Sequence, residues 1–305
     1  MKKKYSGVVV PMVTPVTHQG RLDVASVEKI IQFFAVNGVA PLLMGTTGEG
    51  NSVSRSDGLL MVETAVKAAK GHILIYAGLT GNCLEEQCAQ GEAYSRAGAD
   101  VIVATLPTYY ALTPAQMENY YKTLADSINK PLMMYNIPST THMSIQMDVV
   151  QRLADHPRIV GLKDSERDAD RLCRLAEFAR DRADFSFFCG CAAFSALTLK
   201  AGADGIVPSS GNFAPHICVE LYQAAITGDE EKAQRFQTVC DALGEVYQKG
   251  RTLGESLAAL KVMMQTKGLC QPWMLPPLTR LGEDEERSVA FLTGSIISSL
   301  GIQPF

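Results

Sequence analysis

Eight short apolar segments alternate with helical patterns through the first two thirds of the chain. The apolar segments lie at residues 8–13, 39–44, 73–77, 101–104, 132–135, 159–162, 185–188 and 205–207. The string Ala-Gly-Ala-Asp occurs at residues 97–100 and again at 201–204, and each time it separates a helical pattern from an apolar segment. A glycine just past a helix, followed by an apolar run, is typical of the helix-to-strand turn of a parallel sheet.

Eight parallel strand–helix units close into a barrel more readily than they form an open sheet. A doubly wound sheet is the competing arrangement, but no apolar segment is followed by the G-x-G-x-x-G of dinucleotide-binding sheets. After Pro215 the pattern contains only helices, at residues 217–226, 230–247, 253–265 and 283–300. The sequence therefore predicts an α/β fold, with a (β/α)8 TIM barrel over residues 1–228 and a C-terminal α-helical extension over residues 229–305.

The net charge limits the kinds of binding partner, and the placement of the cysteines indicates the redox compartment. The 305 residues carry a net charge of -4, and the largest basic cluster is three lysines near the N-terminus, which argues against nucleic acid or a membrane surface as partner. We find no apolar run of membrane-spanning length and no secretory signal. The eight cysteines form no disulfide framework and the five histidines have no metal-binding spacing. We expect a reduced, cytoplasmic protein that uses no metal.

The segment IVGLKDS, at residues 159–165, is an apolar run that ends in a single lysine, Lys163. Such a run predicts a buried strand, and the carboxyl ends of barrel strands lie at the active-site face. Burial favours the uncharged amine of lysine, which is a nucleophile towards carbonyl compounds. The alternative is a strand-end lysine whose amine reaches solvent, and this is the commoner case when the segment is considered alone.

Two other predicted strand ends carry side chains that complement a reactive amine. GTTGE follows the second strand, where glycines allow a ligand to approach and Thr46 and Thr47 offer hydroxyl and N–H groups to a carboxylate. Tyr135 ends the fifth strand, and its phenol can carry a proton. Taken singly, the threonines can cap the next helix and the tyrosine is more often a core residue. Their ordered occurrence with Lys163 predicts a Schiff-base site for a 2-oxo acid.

These motifs resemble those of the class I pyruvate-dependent lyases and aldolases that include dihydrodipicolinate synthase, N-acetylneuraminate lyase and the 2-keto-3-deoxy sugar-acid aldolases. The resemblance runs from Gly7 to near Leu300 and depends on GTTGE (45–49), YNIP (135–138), GLKDS (161–165) and GADG (202–205). It implies a homotetramer of (β/α)8 barrels, a dimer of dimers, each barrel with a C-terminal helical domain. It also implies that pyruvate and a small aldehyde or 2-oxo acid are the substrates, and that no metal or organic cofactor takes part.

Position by position, the resemblance assigns the central site residues. Lys163 corresponds to the lysine that forms the imine with pyruvate. Tyr135 corresponds to the phenol that carries protons, and Thr46 to its hydrogen-bonding relay. Thr47 corresponds to the second hydroxyl on the substrate carboxylate, and Gly48 belongs to the same carboxylate cradle.

The same resemblance assigns two further positions. Tyr109 matches the tyrosine that reaches into the site of a neighbouring subunit in an ungapped alignment, whereas a shift of one residue would select Tyr110. Ile206 matches a residue whose backbone carbonyl often faces the site. Because the tyrosine that Tyr109 matches reaches into the site of a neighbouring subunit, the site is expected to be completed by a second copy of the chain.

Departures from the family pattern narrow the choice of acceptor, which is the second substrate that reacts with pyruvate. Dihydrodipicolinate synthases usually carry an arginine where this chain has Thr140, and loss of such a bidentate carboxylate partner disfavours aspartate semialdehyde. N-acetylneuraminate lyases usually have acidic residues where Cys191 begins the string Cys-Ala-Ala. The string SGNFAP at residues 210–215 looks most like the sugar-acid aldolases. Acceptor contacts are expected from Thr140, His142, Cys191 and Ser209.

The expected activity is cleavage or formation of a 4-hydroxy-2-oxo acid of the 2-keto-3-deoxy sugar-acid type, with pyruvate as the enamine donor. One alternative is a dihydrodipicolinate synthase, which condenses pyruvate with aspartate semialdehyde. Others are a dehydratase that acts through the same imine and a non-catalytic sensor of 2-oxo acids on the same barrel. The joint presence of Lys163, Tyr135 and Thr46 argues against the sensor.

Overall fold

Eight parallel strands form a closed barrel in chain order. The structure is a computed structural model and describes residues 3–300. The strands are β1 (Gly7–Pro11), β2 (Ala40–Leu43), β3 (Tyr76–Gly78), β4 (Val101–Thr105), β5 (Leu132–Asn136), β6 (Ile159–Asp164), β7 (Ser186–Cys189) and β8 (Gly205–Ile206). β1 pairs with β8 through Gly7 with Gly205 and Val8 with Ile206, which closes the ring. The predicted (β/α)8 barrel is confirmed.

Helices surround the barrel and form the C-terminal extension. They are α1 (Val24–Val36), α2 (Arg55–Ala69), α3 (Leu84–Arg96), α4 (Pro114–Ser127), α5 (Pro138–Thr141), α6 (Met147–Leu153), α7 (Ala169–Arg180), α8 (Ser195–Ala201), α9 (Pro215–Ile226), α10 (Glu230–Gln248), α11 (Leu253–Thr266) and α12 (Glu283–Leu300). Several begin after a polar residue whose side chain accepts a backbone N–H three residues on, as Asp23 does for α1 and Asp168 for α7. These side chains satisfy N–H groups that have no partner within the helix.

The two Ala-Gly-Ala-Asp strings have the same structure. Gly98 and Gly202 have φ values of 101° and 109°, in the left-handed region that glycine adopts without steric cost. The aspartates that follow them, Asp100 and Asp204, each accept a backbone N–H from the segment at the start of the preceding strand, at 2.8 and 2.9 Å. The repeated string therefore ends a helix and fixes where the next strand begins to pair.

Some element boundaries differ from those predicted. β1 ends at Pro11 rather than at residue 13, because the Val13 N–H donates to Asn212 Oδ1 at 3.0 Å instead of to a strand. β3 begins at Tyr76 rather than at residue 73. The segment between β7 and β8 forms a 3-10 turn at Ala192–Phe194 followed by the helix α8. The short helix α5, at residues 138–141, was not among the predicted elements.

Strand side chains alternate between two apolar cores. The barrel interior contains Tyr5, Val9, Leu42, Tyr76, Val101, Val103, Met133, Tyr135, Ile137, Phe188 and Val207. The larger core lies between the strands and the helices and takes the alternate residues, such as Val8 and Val10 on either side of Val9. Consecutive residues at a strand end therefore face different surroundings, one inside the barrel and the next among the helices.

The C-terminal helices pack against one another and against the barrel. α10 packs on α9 and also contacts α11 and α12. The division that we propose between barrel and extension, at residues 228 and 229, falls in the turn between α9 and α10, where Gly228 has a φ of 79°. Within residues 3–300, no helix has both the length and the apolar character that crossing a membrane requires.

Candidate active site

Lys163 lies inside the barrel near the carboxyl end of β6 and is only 4% exposed. Tyr135 on β5 is its neighbour across the sheet. The Lys163 Nζ lies 3.7 Å from the centroid of the Tyr135 ring, against the π-face of the phenol. The structure therefore places this lysine in the barrel interior rather than at the solvent.

Tyr135 is equally buried, at 5% exposed, yet its surroundings favour loss of its proton. Burial alone would raise the pKa of the Tyr135 phenol. The charge of Lys163 and hydrogen bonds from Thr46 and Ser165 act in the opposite direction and outweigh burial, so the pKa of Tyr135 is below its ordinary value. The Thr46 Oγ1 lies 3.5 Å from the Tyr135 hydroxyl oxygen. Tyr135 is thus a phenol prepared to exchange a proton.

The threonine turn, residues 45–50, follows β2. It is closed by hydrogen bonds such as that from the Gly48 N–H to the Gly45 carbonyl, at 3.0 Å. A Cβ on Gly48 would lie 2.8 Å from the Met12 carbonyl oxygen, so the turn can pass this close to β1 only with a glycine. Among the hydrogen bonds within residues 3–300, none uses the backbone N–H of Thr46 or Thr47. Two N–H groups and two hydroxyls are therefore available to an anion.

A main cavity of about 760 Å³ opens at this end of the barrel. It is lined by six of the predicted site residues: Lys163, Tyr135, Thr46, Thr47, Cys191 and Ser209. Helix α10 forms part of its wall through Asp241, Gly244 and Glu245, and Arg167 adds a further charge. This volume is within the range of small-molecule sites and far exceeds what pyruvate needs.

A smaller cavity of about 350 Å³ adjoins the main one, since both are lined by Thr46, Tyr135 and Leu253. Thr140 lines this smaller cavity and not the main one. The remaining wall is mostly apolar and includes Leu42, Met44, Leu79, Val103, Leu257 and Leu278. Thr140 and Lys163 therefore lie in different cavities, and Tyr135 lines both.

Four predicted site residues line neither cavity: Gly48, Tyr109, His142 and Ile206. Tyr109 is 79% exposed, and its ring packs edge-on against Tyr110 with centroids 4.9 Å apart. Ile206 is fully buried in β8, whereas the following residue, Val207, lines the main cavity. Within the described part of this chain, Tyr109 is not brought to Lys163.

Sequence reasoning missed a buried polar cluster behind Lys163 and Tyr135. Asn136 and Asp164 follow Tyr135 and Lys163 on their strands and, because strand residues alternate, face the helices. Arg171 of α7 donates to Asp164 Oδ2 from Nε at 3.0 Å and from Nη2 at 2.9 Å. Asn136 Nδ2 donates to the same oxygen at 3.0 Å. These bonds hold the ends of β5 and β6 together. The signal available in the sequence was a polar residue directly after each of Tyr135 and Lys163.

Gly190 has a steric role that its position at the end of β7 alone did not indicate. A Cβ at this residue would lie 2.2 Å from Ser165 Oγ and 3.1 Å from Lys163 Cε. Heavy atoms of neighbouring groups normally stay about 3.5–4.0 Å apart. The absence of a side chain at Gly190 therefore makes room for the lysine stem.

The two thiols at the end of β7 are not activated as nucleophiles. Burial raises the pKa of Cys191, which lines the main cavity, and raises that of the nearby Cys189 to about 12. Both thiols therefore remain protonated near neutral pH and are poor nucleophiles. Within residues 3–300, no three His, Cys, Asp or Glu side chains come together as a metal site.

Known proteins of one family resemble this chain over nearly its whole length. A profile of the Dihydrodipicolinate synthetase family matches residues 4–293. The chain is 30% identical over 285 residues to the 4-hydroxy-tetrahydrodipicolinate synthase of Laribacter hongkongensis (strain HLHK9), covering 93% of this chain and 96% of that protein. It is 28% identical over 306 residues to the probable 2-dehydro-3-deoxy-D-pentonate aldolase YjhH of Escherichia coli (strain K12), covering 99% of each.

A solved structure gives the same result. YagE, a prophage protein of E. coli K12 solved in complex with pyruvate, is 26% identical to this chain, with a TM-score of 0.90 over 96% of this chain and 99% of YagE. The resemblance that the sequence motifs indicated is thereby confirmed. The chain belongs to the dihydrodipicolinate synthetase family, whose members are class I pyruvate-dependent lyases and aldolases.

Proposed function

We propose that the protein forms or cleaves a 4-hydroxy-2-oxo acid of the 2-keto-3-deoxy sugar-acid type, with pyruvate bound as an imine of Lys163. The observation that carries this proposal is the position of Lys163. Its amine is buried 3.7 Å from the Tyr135 ring centroid, in the wall of the cavity that the threonine turn also lines. A sheltered amine, a phenol and an anion-binding turn together suit imine chemistry on a 2-oxo acid.

The first half of the proposed reaction makes a carbon nucleophile. The uncharged amine of Lys163 attacks the keto carbon of pyruvate, and loss of water, with a proton taken up from the solvent, leaves a protonated imine. Thr47 and the N–H groups of the turn hold the pyruvate carboxylate. The positive imine withdraws electrons from the methyl carbon, which gives up a proton to the Tyr135 phenolate and becomes the nucleophilic carbon of an enamine.

The second half makes the carbon–carbon bond. The enamine carbon attacks the carbonyl carbon of an aldehyde, and the aldehyde oxygen takes a proton from Tyr135. Water then hydrolyses the protonated imine, which releases the 4-hydroxy-2-oxo acid, regenerates the uncharged amine of Lys163 and returns one proton to the solvent. In cleavage the same steps run backwards, and the Tyr135 phenolate removes the 4-hydroxyl proton. The lowered pKa of Tyr135 supports this role, because the phenolate then forms closer to neutral pH.

The cavity lining supports a hydroxylated acceptor. Ser165 and Ser209 offer hydroxyls to the main cavity, and Arg167 and Asp241 add groups that bind sugar hydroxyls. The neutral Thr140 cannot bind a second carboxylate in the bidentate way that arginine does. The pentonate aldolase named among the relatives is in keeping with this substrate class.

The second candidate is dihydrodipicolinate synthase activity, because the relative that is 30% identical carries the name 4-hydroxy-tetrahydrodipicolinate synthase. It requires that aspartate semialdehyde bind without an arginine at residue 140. A dehydratase would share the imine with Lys163 but eliminate water rather than break a carbon–carbon bond. A non-catalytic binder would form no product at all.

The deciding experiment traps the imine. The protein is incubated with pyruvate and borohydride, and its peptides are mapped by mass. We expect a reduced pyruvate adduct on Lys163 that is absent from Lys163→Ala. Lys249→Ala is the matched control, because Lys249 lines the same cavity but is exposed, and this variant should be trapped like the wild type. An adduct that persists in Lys163→Ala would contradict the proposed function.

Product analysis then separates the candidates. A panel of 2-keto-3-deoxy acids is scored by pyruvate release, and condensation of pyruvate with aspartate semialdehyde is measured in a coupled assay. We expect pyruvate release from at least one sugar acid and no condensation product with aspartate semialdehyde. The reverse pattern would favour the synthase, and loss of water without pyruvate release would favour the dehydratase.

We also propose that Tyr109 acts in the site of a second copy, within a homotetramer located in the cytoplasm. The exposure of Tyr109 and Tyr110 supports this, since two adjacent tyrosines with 79% and 73% of their surface in solvent are suited to contact a partner. Tyr109→Phe should lower kcat without changing the mass measured in solution. A monomer that is fully active would contradict the proposal.

A further inference from the structure

A buried ion pair joins the threonine turn to the C-terminal extension. The side chains of Glu49, in the turn, and Lys261, on α11, are both 0% exposed, and Lys261 Nζ lies 2.5 Å from Glu49 Oε1. The second oxygen, Oε2, accepts the backbone N–H of Leu275 at 2.8 Å. Lys261 Nζ also donates to the Trp273 carbonyl at 2.7 Å. Two segments of the extension therefore hold one carboxylate, which lies two residues from Thr47.

Glu49 is also the bend of the turn. Its φ of 53° lies in the left-handed region, which few residues with a side chain adopt. Its N–H donates to the Thr46 carbonyl at 3.1 Å, so this bend sets the geometry of the residues just before it. A residue in such a conformation stays there only when its surroundings hold it. The contacts of its carboxylate with the extension meet that requirement.

Stability alone is a weak explanation for such a pair. Removing two charges from water is costly, and buried ion pairs can often be replaced by apolar residues with no loss of stability. What an ion pair with two further hydrogen bonds provides is a defined position for both partners. Here the defined position is that of the turn that carries Thr46 and Thr47.

We propose that Glu49 and Lys261 are positioning residues for the imine reaction. The pair holds the threonine turn at the distance from Lys163 at which pyruvate's carboxylate can be bound, so α11 takes part in substrate binding without touching substrate. This inference rests on the roles proposed above for Thr46 and Thr47.

The test measures the pyruvate concentration that gives half-maximal borohydride trapping at Lys163. The variants are Lys261→Met and Glu49→Gln. The matched control is Lys3→Met, which breaks another ion pair of low exposure, Lys3 with Asp204, at 2.9 Å and with side chains 11% exposed. That pair lies at the amino end of the strands, away from the site.

In Lys261→Met and Glu49→Gln the half-saturating pyruvate concentration should rise about tenfold or more, because a displaced turn binds the carboxylate poorly. Trapping at saturating pyruvate should remain, since Lys163 is unchanged. Lys3→Met should lower the melting temperature while its half-saturating concentration stays within about twofold of the wild type. The measurement is made well below the melting temperature of each variant, where the unfolded fraction is negligible, so loss of stability cannot imitate the effect.

A purely structural pair would behave differently. If Lys261→Met and Glu49→Gln lose stability like Lys3→Met but keep the wild-type half-saturating concentration, the inference is wrong. Should both single variants fail to fold, Glu49→Gln/Lys261→Met decides, because it leaves no unpaired charge and keeps an acceptor for the Leu275 N–H. Wild-type binding of pyruvate in that double variant would also overturn the inference. A wild-type protein that is not trapped at Lys163 would overturn the proposed function itself.

Discussion

One methyl group at Gly190 would test the geometry of the site. A Cβ there would lie 2.2 Å from Ser165 Oγ, 3.0 Å from the Asp164 carbonyl oxygen and 3.1 Å from Lys163 Cε. Against the usual separation of about 3.5–4.0 Å, the hydroxyl must move by about 1 Å or more and the lysine stem by a few tenths of an ångström. Ser165 can change its rotamer, but the Asp164 carbonyl is backbone and cannot.

We expect Gly190→Ala to reduce the catalytic rate more than the stability. Overpacking a filled site costs about 1–3 kcal/mol of stability, which a barrel of this size tolerates. Misplacing a reacting group by about 1 Å can cost about 100-fold in rate, and the stem of Lys163 must shift by less than that. We therefore expect Gly190→Ala to fold and its kcat to fall by about 10- to 100-fold.

The assay is pyruvate release, with active sites counted by borohydride trapping so that kcat refers to competent sites. Gly244→Ala is the matched control, because Gly244 lines the same cavity and the nearest atom to its added Cβ is Gln248 Oε1, 4.0 Å away. Its kcat should stay within about twofold of the wild type, and its stability should hold or rise by up to about 1 kcal/mol. Removing the closest contact in Gly190→Ala/Ser165→Ala should restore part of the activity. Wild-type kcat in Gly190→Ala would refute the steric argument.

Tyr135→Phe should keep trapping at Lys163 but lower kcat by about 10²–10⁴, measured as pyruvate release, since the phenol would no longer carry the proton. Because the pKa of Tyr135 is lowered, the rise of kcat/KM with pH that depends on its phenolate should level off below pH 10 and vanish in Tyr135→Phe; an unchanged pH profile would contradict this. Arg171→Met should lower the free energy of unfolding in urea by about 3–5 kcal/mol, because it leaves Asp164 charged and buried. Arg96→Met, which breaks an exposed pair, should lower it by less than about 1 kcal/mol, and equal losses would argue against the buried cluster.

Much of the fold could be predicted because its signals are local. Apolar runs and the glycines after helices can be recognised from neighbouring residues in the sequence. Gly98 and Gly202 adopt the left-handed conformation that such turns require. Strand ends were harder, because a distant side chain can take over a strand hydrogen bond, as Asn212 does for Val13. The positions of Lys163 and Tyr135 could be anticipated because parallel strands bring their carboxyl ends to one face.

The supports of the site could not be predicted, because they join residues that are remote in sequence. Nothing local relates Glu49 to Lys261, and their pairing exists only once α11 packs against the barrel. The two cavities are likewise products of packing. The neighbouring positions Ser139 and Thr140 line different ones, which only the three-dimensional path of α5 decides.

One feature of the strand sequences is more informative than the apolar runs, namely two consecutive polar residues at the end of a strand. Parallel barrel strands are covered on both faces, so they should be apolar at consecutive positions. β5 and β6 break this rule at the same level, with Tyr135 then Asn136 and Lys163 then Asp164. The inward residues, Tyr135 and Lys163, line the cavity. The outward residue Asn136 donates a hydrogen bond to Asp164, and Arg171 also donates to Asp164. An unpaired polar group buried among the helices would cost free energy, so the outward residue needs a hydrogen-bond partner. That partner also fixes the position of the neighbouring residue, which faces the cavity. Two consecutive polar residues ending a buried parallel strand thus indicate both a reactive group and its support.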